Sequence, residues 1–179
     1  ITSSGTQSYG GTVTLSADSR LTASGLSAAA MDLGGYQLTV SEAGAGQISG
    51  VISGTGSLSK AGSGVLTLSG TNDLTGGVVI QAGTLKISAD RNLGAVPGSA
   101  DADALTINGG TLQVTANTSL ASERGVTLGS HGGTFQIDPS VSVNYAGVVA
   151  GTGGLTKSGS GTLSLNGENT YSGGTTIGA

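Results

Sequence analysis

The 179-residue chain holds one histidine, His131, inside the run GSHGG at 129–133. Histidine is the side chain best suited to proton transfer near neutral pH. A base of this kind needs an orienting partner and a nucleophile within hydrogen-bond reach. The nearest carboxylate in sequence is Asp138, and no other candidate partner lies near it. Serine is abundant, yet no serine sits in a G-x-S-x-G elbow. His131 is therefore expected to be a solvated turn residue. Asp90, Asp101 and Asp103 form the one concentration of carboxylates. Calcium takes about six to eight oxygen ligands, and the calcium-binding repeat G-G-x-G-x-D is absent. Paired carboxylates also cleave glycosidic bonds, but Arg20, Arg91 and Arg124, which could line such a cleft, are scattered along the chain.

Residues 54–60 (GTGSLSK) and 151–157 (GTGGLTK) look superficially like phosphate loops. A Walker loop needs G-x-x-x-x-G-K-[ST] leading into a helix, whereas a strand pattern follows here. Lys60 and Lys157 are accordingly expected to be solvated turn or edge residues. Tyr9, Tyr36, Tyr145 and Tyr171 are single aromatics at wide spacing, which is ordinary for a protein surface. Asn117-Thr118-Ser119 matches a glycosylation sequon. These residues lead to an expectation of no catalytic, cofactor-binding or metal-binding residue and no cofactor; no interaction residue is assigned.

The elements that would position any of these side chains are short and glycine-punctuated. Residues 50–82 (GVISGTGSLSKAGSGVLTLSGTNDLTGGVVIQA) align without a gap to residues 147–179 (GVVAGTGGLTKSGSGTLSLNGENTYSGGTTIGA), 97 residues on, with 18 of 33 positions identical. Self-similarity of this kind marks a repeat architecture. Strand-like runs such as TVTL at 12–15, QLTV at 37–40, VLTL at 65–68, TLKI at 84–87, TLQV at 111–114 and TFQI at 134–137 alternate apolar with polar residues. That period of two belongs to strands with one buried face. It points Leu66 and Leu68 inward with Thr67 outward, and Leu85 and Ile87 inward with Lys86 in water. No window of helical length carries a helical period. Residues 90–104 read as a loop with room for one helical turn.

Composition narrows the architecture. Glycine numbers 35, proline 2 and cysteine 0, with no tryptophan and one phenylalanine. No disulfide framework or thiolate metal site can form. A wide sandwich or barrel core would be hard to fill without large aromatics, whereas the narrow interior of a parallel β-helix suits Val, Ile, Leu and Ala. Glycine supplies the positive-φ corners, and Asn72 and Asn169, at matching repeat positions, suit left-handed corners or ladder hydrogen bonds. The expected fold is all-β, a single-stranded parallel β-helix with rungs of about 20–25 residues, about eight in all. Charged residues are 9% of the chain and the net charge is −4, so no basic stripe exists for nucleic acid. No apolar run approaches the length of a membrane helix.

The repeat resembles the passenger-associated repeat of bacterial autotransporter passenger domains. The matching positions are Gly54, Gly56, Leu58, Lys60, Gly62, Gly64, Leu66, Leu68, Gly70, Asn72, Leu74, Gly76, Gly77, Ile80, Gly83 and Leu85. The second copy supplies Gly151, Gly153, Leu155, Lys157, Gly159, Gly161, Leu163, Leu165, Gly167, Asn169, Tyr171, Gly173, Gly174 and Ile177. Leu74 departs from the aromatic at Tyr171. The resemblance implies a right-handed β-helix, displayed at the outer membrane or secreted, whose precursor ends in an outer-membrane β-barrel. The expected organisation is a single β-helix segment over 1–179, a fragment of a longer passenger, with repeat copies at 50–88 and 147–179. The expected role is non-enzymatic: a stalk or folding-support scaffold and an adhesion or self-association surface, with a host surface or another copy of itself as partner and no small-molecule substrate. Two alternatives stand beside it. One is a polysaccharide-active β-helix enzyme. The other is an ice-binding solenoid, which needs a T-x-T array that only Thr12-Val13-Thr14 clearly fits.

Overall fold

A computed structural model describes residues 1–178. Every strand pairing in it is parallel, which requires each strand to be reached by a crossover rather than a hairpin. The crossovers are the other faces of one coil, so the chain winds as a β-solenoid of about nine turns. The longest sheet runs Thr6–Thr14, Gly25–Asp32, Ala45–Ile48, Val65–Leu68, Thr84–Ile87, Thr111–Val114, Gly133–Ile137, Leu155–Ser158 and Thr175–Ile177, with Ile52–Ser53 pairing beside Gly25–Asp32. A seven-stranded sheet forms a second face, from Ser19–Ala23 to Val149–Gly151. A three-stranded sheet of Thr118–Leu120, Ser142–Tyr145 and Thr162–Leu165 forms a third. At about 4.8 Å per strand the long sheet extends about 40 Å.

The interior is made by like residues stacking on like. Leu38 pairs with Leu58, Leu58 with Val78, Val78 with Leu105 and Leu105 with Val126. On the long sheet Leu66, Leu85, Leu112 and Phe135 form a second column, all at 0% exposure. Most turns take 19 to 23 residues: Val65 pairs with Thr84, and Thr111 with Thr134. The longest is the one in which Thr84 pairs with Thr111. The excess is the excursion after Ile87, which carries a 3₁₀ turn over Asp90–Leu93. The helical turn expected in residues 90–104 is thus present, but their last part is strand, within Asp101–Ile107. Ala28 to Met31, the nearest approach to a helical pattern, lies in the strand Gly25–Asp32.

The two repeat copies occupy different faces. Leu58–Ala61 lies in the seven-stranded sheet, but its counterpart Leu155–Ser158 lies in the long sheet. Val65–Leu68 lies in the long sheet, and its counterpart Thr162–Leu165 in the three-stranded one. The 97-residue spacing is therefore not a whole number of turns. What repeats is a local winding instruction, independent of the face on which it falls.

Two devices show how that instruction is written. Gly62 and Gly159 hold φ of 76° and 74° at the corner after the Leu-x-Lys strand, a region that disfavours any side chain with a Cβ. At the next corner Asn72 stands in for strand backbone. Its Oδ1 accepts the Ile52 amide at 2.8 Å while Asp73 donates to the Ile52 carbonyl at 3.0 Å. In the second copy Asn169 Oδ1 accepts the Val149 amide at 2.9 Å and Thr170 donates to the Val149 carbonyl at 2.8 Å. Of the two roles expected for these asparagines, the ladder bond is the one used. Ser140, not Asn72 or Asn169, is the positive-φ non-glycine among the described residues.

Candidate functional site

Three buried charges stand out in an interior made mostly of aliphatic columns. Glu42 and Lys60 are 1% and 0% exposed, and Lys60 Nζ lies 3.4 Å from Glu42 Oε1. Lys60 Nζ donates to the carbonyls of Ala61, Gly62 and Ala82 at 2.8, 2.9 and 3.2 Å. Both carboxylate oxygens of Glu42 lack a hydrogen-bond donor. Burial raises the Glu42 pKa and lowers that of Lys60, each opposed by the charge of the other. The expectation that Lys60 is solvated is wrong. Leu58 points inward, and a period of two carries Lys60 inward with it. The same reading of Leu38-x-Val40-x-Glu42 would have placed Glu42 inside. Lys157 repeats the role half-buried, its Nζ donating to the Gly159 carbonyl. In both copies the lysine donates to the carbonyl of the corner glycine, Gly62 or Gly159.

Arg124 is the third. It is 1% exposed, in a strand whose Val126 and Leu128 share its inward phase. Its Nε donates to Asp90 Oδ1 at 2.9 Å and its Nη2 to Asp90 Oδ2 at 3.2 Å. Further bonds reach the carbonyls of Leu93, Gly94 and Ala95 at 3.3, 3.1 and 3.3 Å. The guanidinium thus fastens the excursion from one side, while Asn92 Nδ2 donates to the Gly70 carbonyl at 2.9 Å on the turn below. Tyr145 closes the cluster, donating to the Arg124 carbonyl at 2.7 Å, and burial pushes its hydroxyl pKa up to about 12. These contacts are bonds of the fold, with no open face for a reactant.

The residues with chemical potential lie apart. His131 is exposed, with Nδ1 3.0 Å from Asn108 Oδ1 and Ser130 Oγ 3.5 Å away. Asp138 instead accepts from Gln113 at 2.8 Å. Asp90 is engaged by Arg124, which removes it from Asp101 and Asp103, and Asp101 Oδ1 caps the Asp103 amide at 3.0 Å. Among the described residues no group of three His, Cys, Asp or Glu side chains is poised to hold a metal ion. Tyr36 is exposed, Tyr9 and Tyr171 are half-buried, and Tyr145 is in the core, so the tyrosines form no common surface. Asn117 accepts the Ser142 amide at 2.8 Å, a ladder contact. Thr12 and Thr14 pair with Ala30 and Asp32, so the T-x-T pair does not continue. One surface groove, of about 280 Å³, is lined by glycines, threonines, Leu155, Ser130 and His131. The second, of about 310 Å³, lies over Ala102, Gly125 and Val148. The third, of about 360 Å³, covers the last turns around Leu163 and Tyr171. None gathers carboxylates with cations and aromatics.

Comparison with known proteins agrees with this scaffold. The passenger-associated-transport-repeat family matches residues 58–87 and 155–179. The chain is 40% identical over 167 residues to the adhesin BmaC autotransporter of Brucella suis biovar 1 (strain 1330), covering 89% of this chain. It spans about 5% of that relative's length. No solved structure matches. With repeat, parallel coil and relative in agreement, the chain belongs to the passenger domains of bacterial autotransporters, proteins carried to the cell surface or secreted.

Proposed function

We propose that the chain is a non-enzymatic scaffold segment of a surface-displayed passenger, with a lateral surface for adhesion or self-association. The observation that carries this reading is the use made of the buried charges. Lys60, Glu42 and Arg124 are spent on corners and on one excursion, where they hold the coil together. Chemistry would need such groups convergent in a cleft. A solenoid presents long, continuous faces and stacks each turn on the last, which suits a stalk and lets folding propagate from one end. The outer face of the long sheet displays Thr84, Thr111, Thr134 and Thr156 in one column, hydroxyls suited to many weak lateral contacts. The relative's name supports an adhesive role toward a host surface and a C-terminal outer-membrane barrel in the precursor; a second copy as partner rests on the threonine column alone. The test is a cell displaying the complete passenger with and without residues 1–179. Loss of clumping or host attachment is expected for an adhesive segment, and loss of surface display for a folding support. Unchanged attachment, clumping and display together would overturn the proposal.

A further inference from the structure

The groove of about 310 Å³ crosses three successive turns of the seven-stranded sheet, and its shape comes from a bulge. Asp101 pairs with Arg124 but Leu105 pairs with Val126, so the first strand carries two extra residues and swells outward. Thr127 Oγ1 donates to the carbonyl of the swollen Ala102 at 2.8 Å. Beside it Gly125 lets the swollen backbone pack close, since a Cβ there would meet the Asp101 carbonyl oxygen at 2.6 Å. On the next turn Val148 stands 42% exposed. Ala102, Val148 and Ala150 make the lining chiefly aliphatic.

Its surroundings are negative. Asp101 lines the groove, and Asp103 and Glu123 adjoin its lining residues Ala102 and Ser122. None of the three takes part in the ion pairs found among the described residues. The cation adjacent in sequence, Arg124, is turned inward on Asp90. An apolar floor with an uncompensated acidic rim selects for a partner carrying aliphatic and basic side chains together. Apolar contact supplies affinity, and opposite charge supplies steering and specificity.

We propose that this groove docks an extended, basic, apolar peptide segment of another protein. An aliphatic side chain rests against Ala102 and Val148, and Lys or Arg side chains reach Asp101, Asp103 and Glu123. A second copy of this chain, net charge −4, an anionic lipid surface and a nucleic acid are all repelled by the rim. The groove does not depend on the scaffold reading, which is tested on cells, whereas docking is tested on the purified chain.

The probe is a short fluorescent peptide alternating valine and lysine, followed by anisotropy at low salt. Valine–glutamate and serine–lysine peptides are the controls. The valine–lysine peptide is expected to bind, and binding is expected to fall about tenfold or more in Asp103→Lys/Glu123→Lys and in Val148→Ser. Val51→Ser alters the same repeat position on a turn away from this groove. Val51 is 43% exposed, so this change is expected to leave binding intact. Melting temperatures of all variants establish that each is folded. No binding of the valine–lysine peptide, equal binding of the serine–lysine peptide, or an equal loss in Val51→Ser would each overturn the proposal.

Discussion

At the scale of single residues, the least expected feature is an ion pair in a core that has no dielectric reason to hold one. Removing one member of a buried pair leaves the other charged and unpaired, at a cost of about 3–5 kcal/mol, while replacing both is often neutral. Lys60→Met is therefore expected to lower stability strongly, and Glu42→Gln/Lys60→Met to recover most of the loss, read from denaturant midpoints. If the double variant is as unstable as the single one, the pair is not the unit. The pair also sets a pH dependence. The raised pKa of Glu42 gives stability that is full below its ordinary value of 4.5 and is lost as pH rises through the folded value. The lowered pKa of Lys60 gives stability that is full above 10.5 and is lost as pH falls through its folded value. Relative to Glu42→Gln/Lys60→Met, the native protein should be least favoured between those folded values. It should gain toward pH 4.5 and toward pH 10.5, as melting temperatures across that range would show. A difference that stays flat across the range would mean that neither group titrates differently on folding.

At the scale of elements, the solenoid tolerates one oversized turn because buried polar side chains, Arg124 from the turn above and Asn72 and Asn92 toward the turn below, tie it to the coil. The excursion after Ile87 forms no strand over Asp90–Leu93; Asn72 donates to the Arg91 carbonyl and Asn92 to the Gly70 carbonyl, both at 2.9 Å, and Arg124 adds five donations to Asp90, Leu93, Gly94 and Ala95. Arg124→Lys keeps the charge but loses the planar fork that reaches both Asp90 oxygens and the carbonyls at once. Proteolysis at the exposed residues 96–100 should then quicken, with the far strands unaffected; an unchanged cleavage rate would show that the excursion holds itself. The strands themselves were legible in sequence wherever alternation was clean, as in TLKI and TLQV, because a two-residue period and a buried face are one fact. Ser19–Ala23 and Ala45–Ile48 were not, since small or polar residues outside the aliphatic columns leave little contrast between faces. The corner role of Lys60 was written in the Leu-x-Lys spacing but masked by the rule that lysine is solvated. Arg124 on Asp90 was beyond reach, because a contact 34 residues apart depends on how many residues each intervening turn consumes. The peptide groove was equally hidden: it is a bulge, and a bulge is a mismatch between strands that no single strand displays.

At the scale of the whole molecule, the two repeat copies fall on different faces, so the coil has no privileged phase. Each turn reads only the turn beneath it, as expected where stability is a sum of local and nearest-neighbour terms. That independence makes a sharp claim about deletions. Val65 pairs with Thr84, so excising residues 65–83 removes one complete turn and joins Gly64 to Thr84 at the place Val65 held. Leu58, which stacks on Val78, would then meet Leu105, which already stacks on Val78. Aliphatic columns and ladder bonds re-form, at the expense of the Lys60 bond to Ala82 and the Asn72 ladder contact. Excising residues 65–74 removes a half turn, and every later strand arrives at the wrong face with its inward side chains opposite corners. The full-turn deletion is expected to keep a strand-rich circular dichroism spectrum and a cooperative melt at a lowered temperature, and the half-turn deletion to lose both. Equal behaviour of the two would mean that long-range phase, and not the turn below, directs where each strand lands.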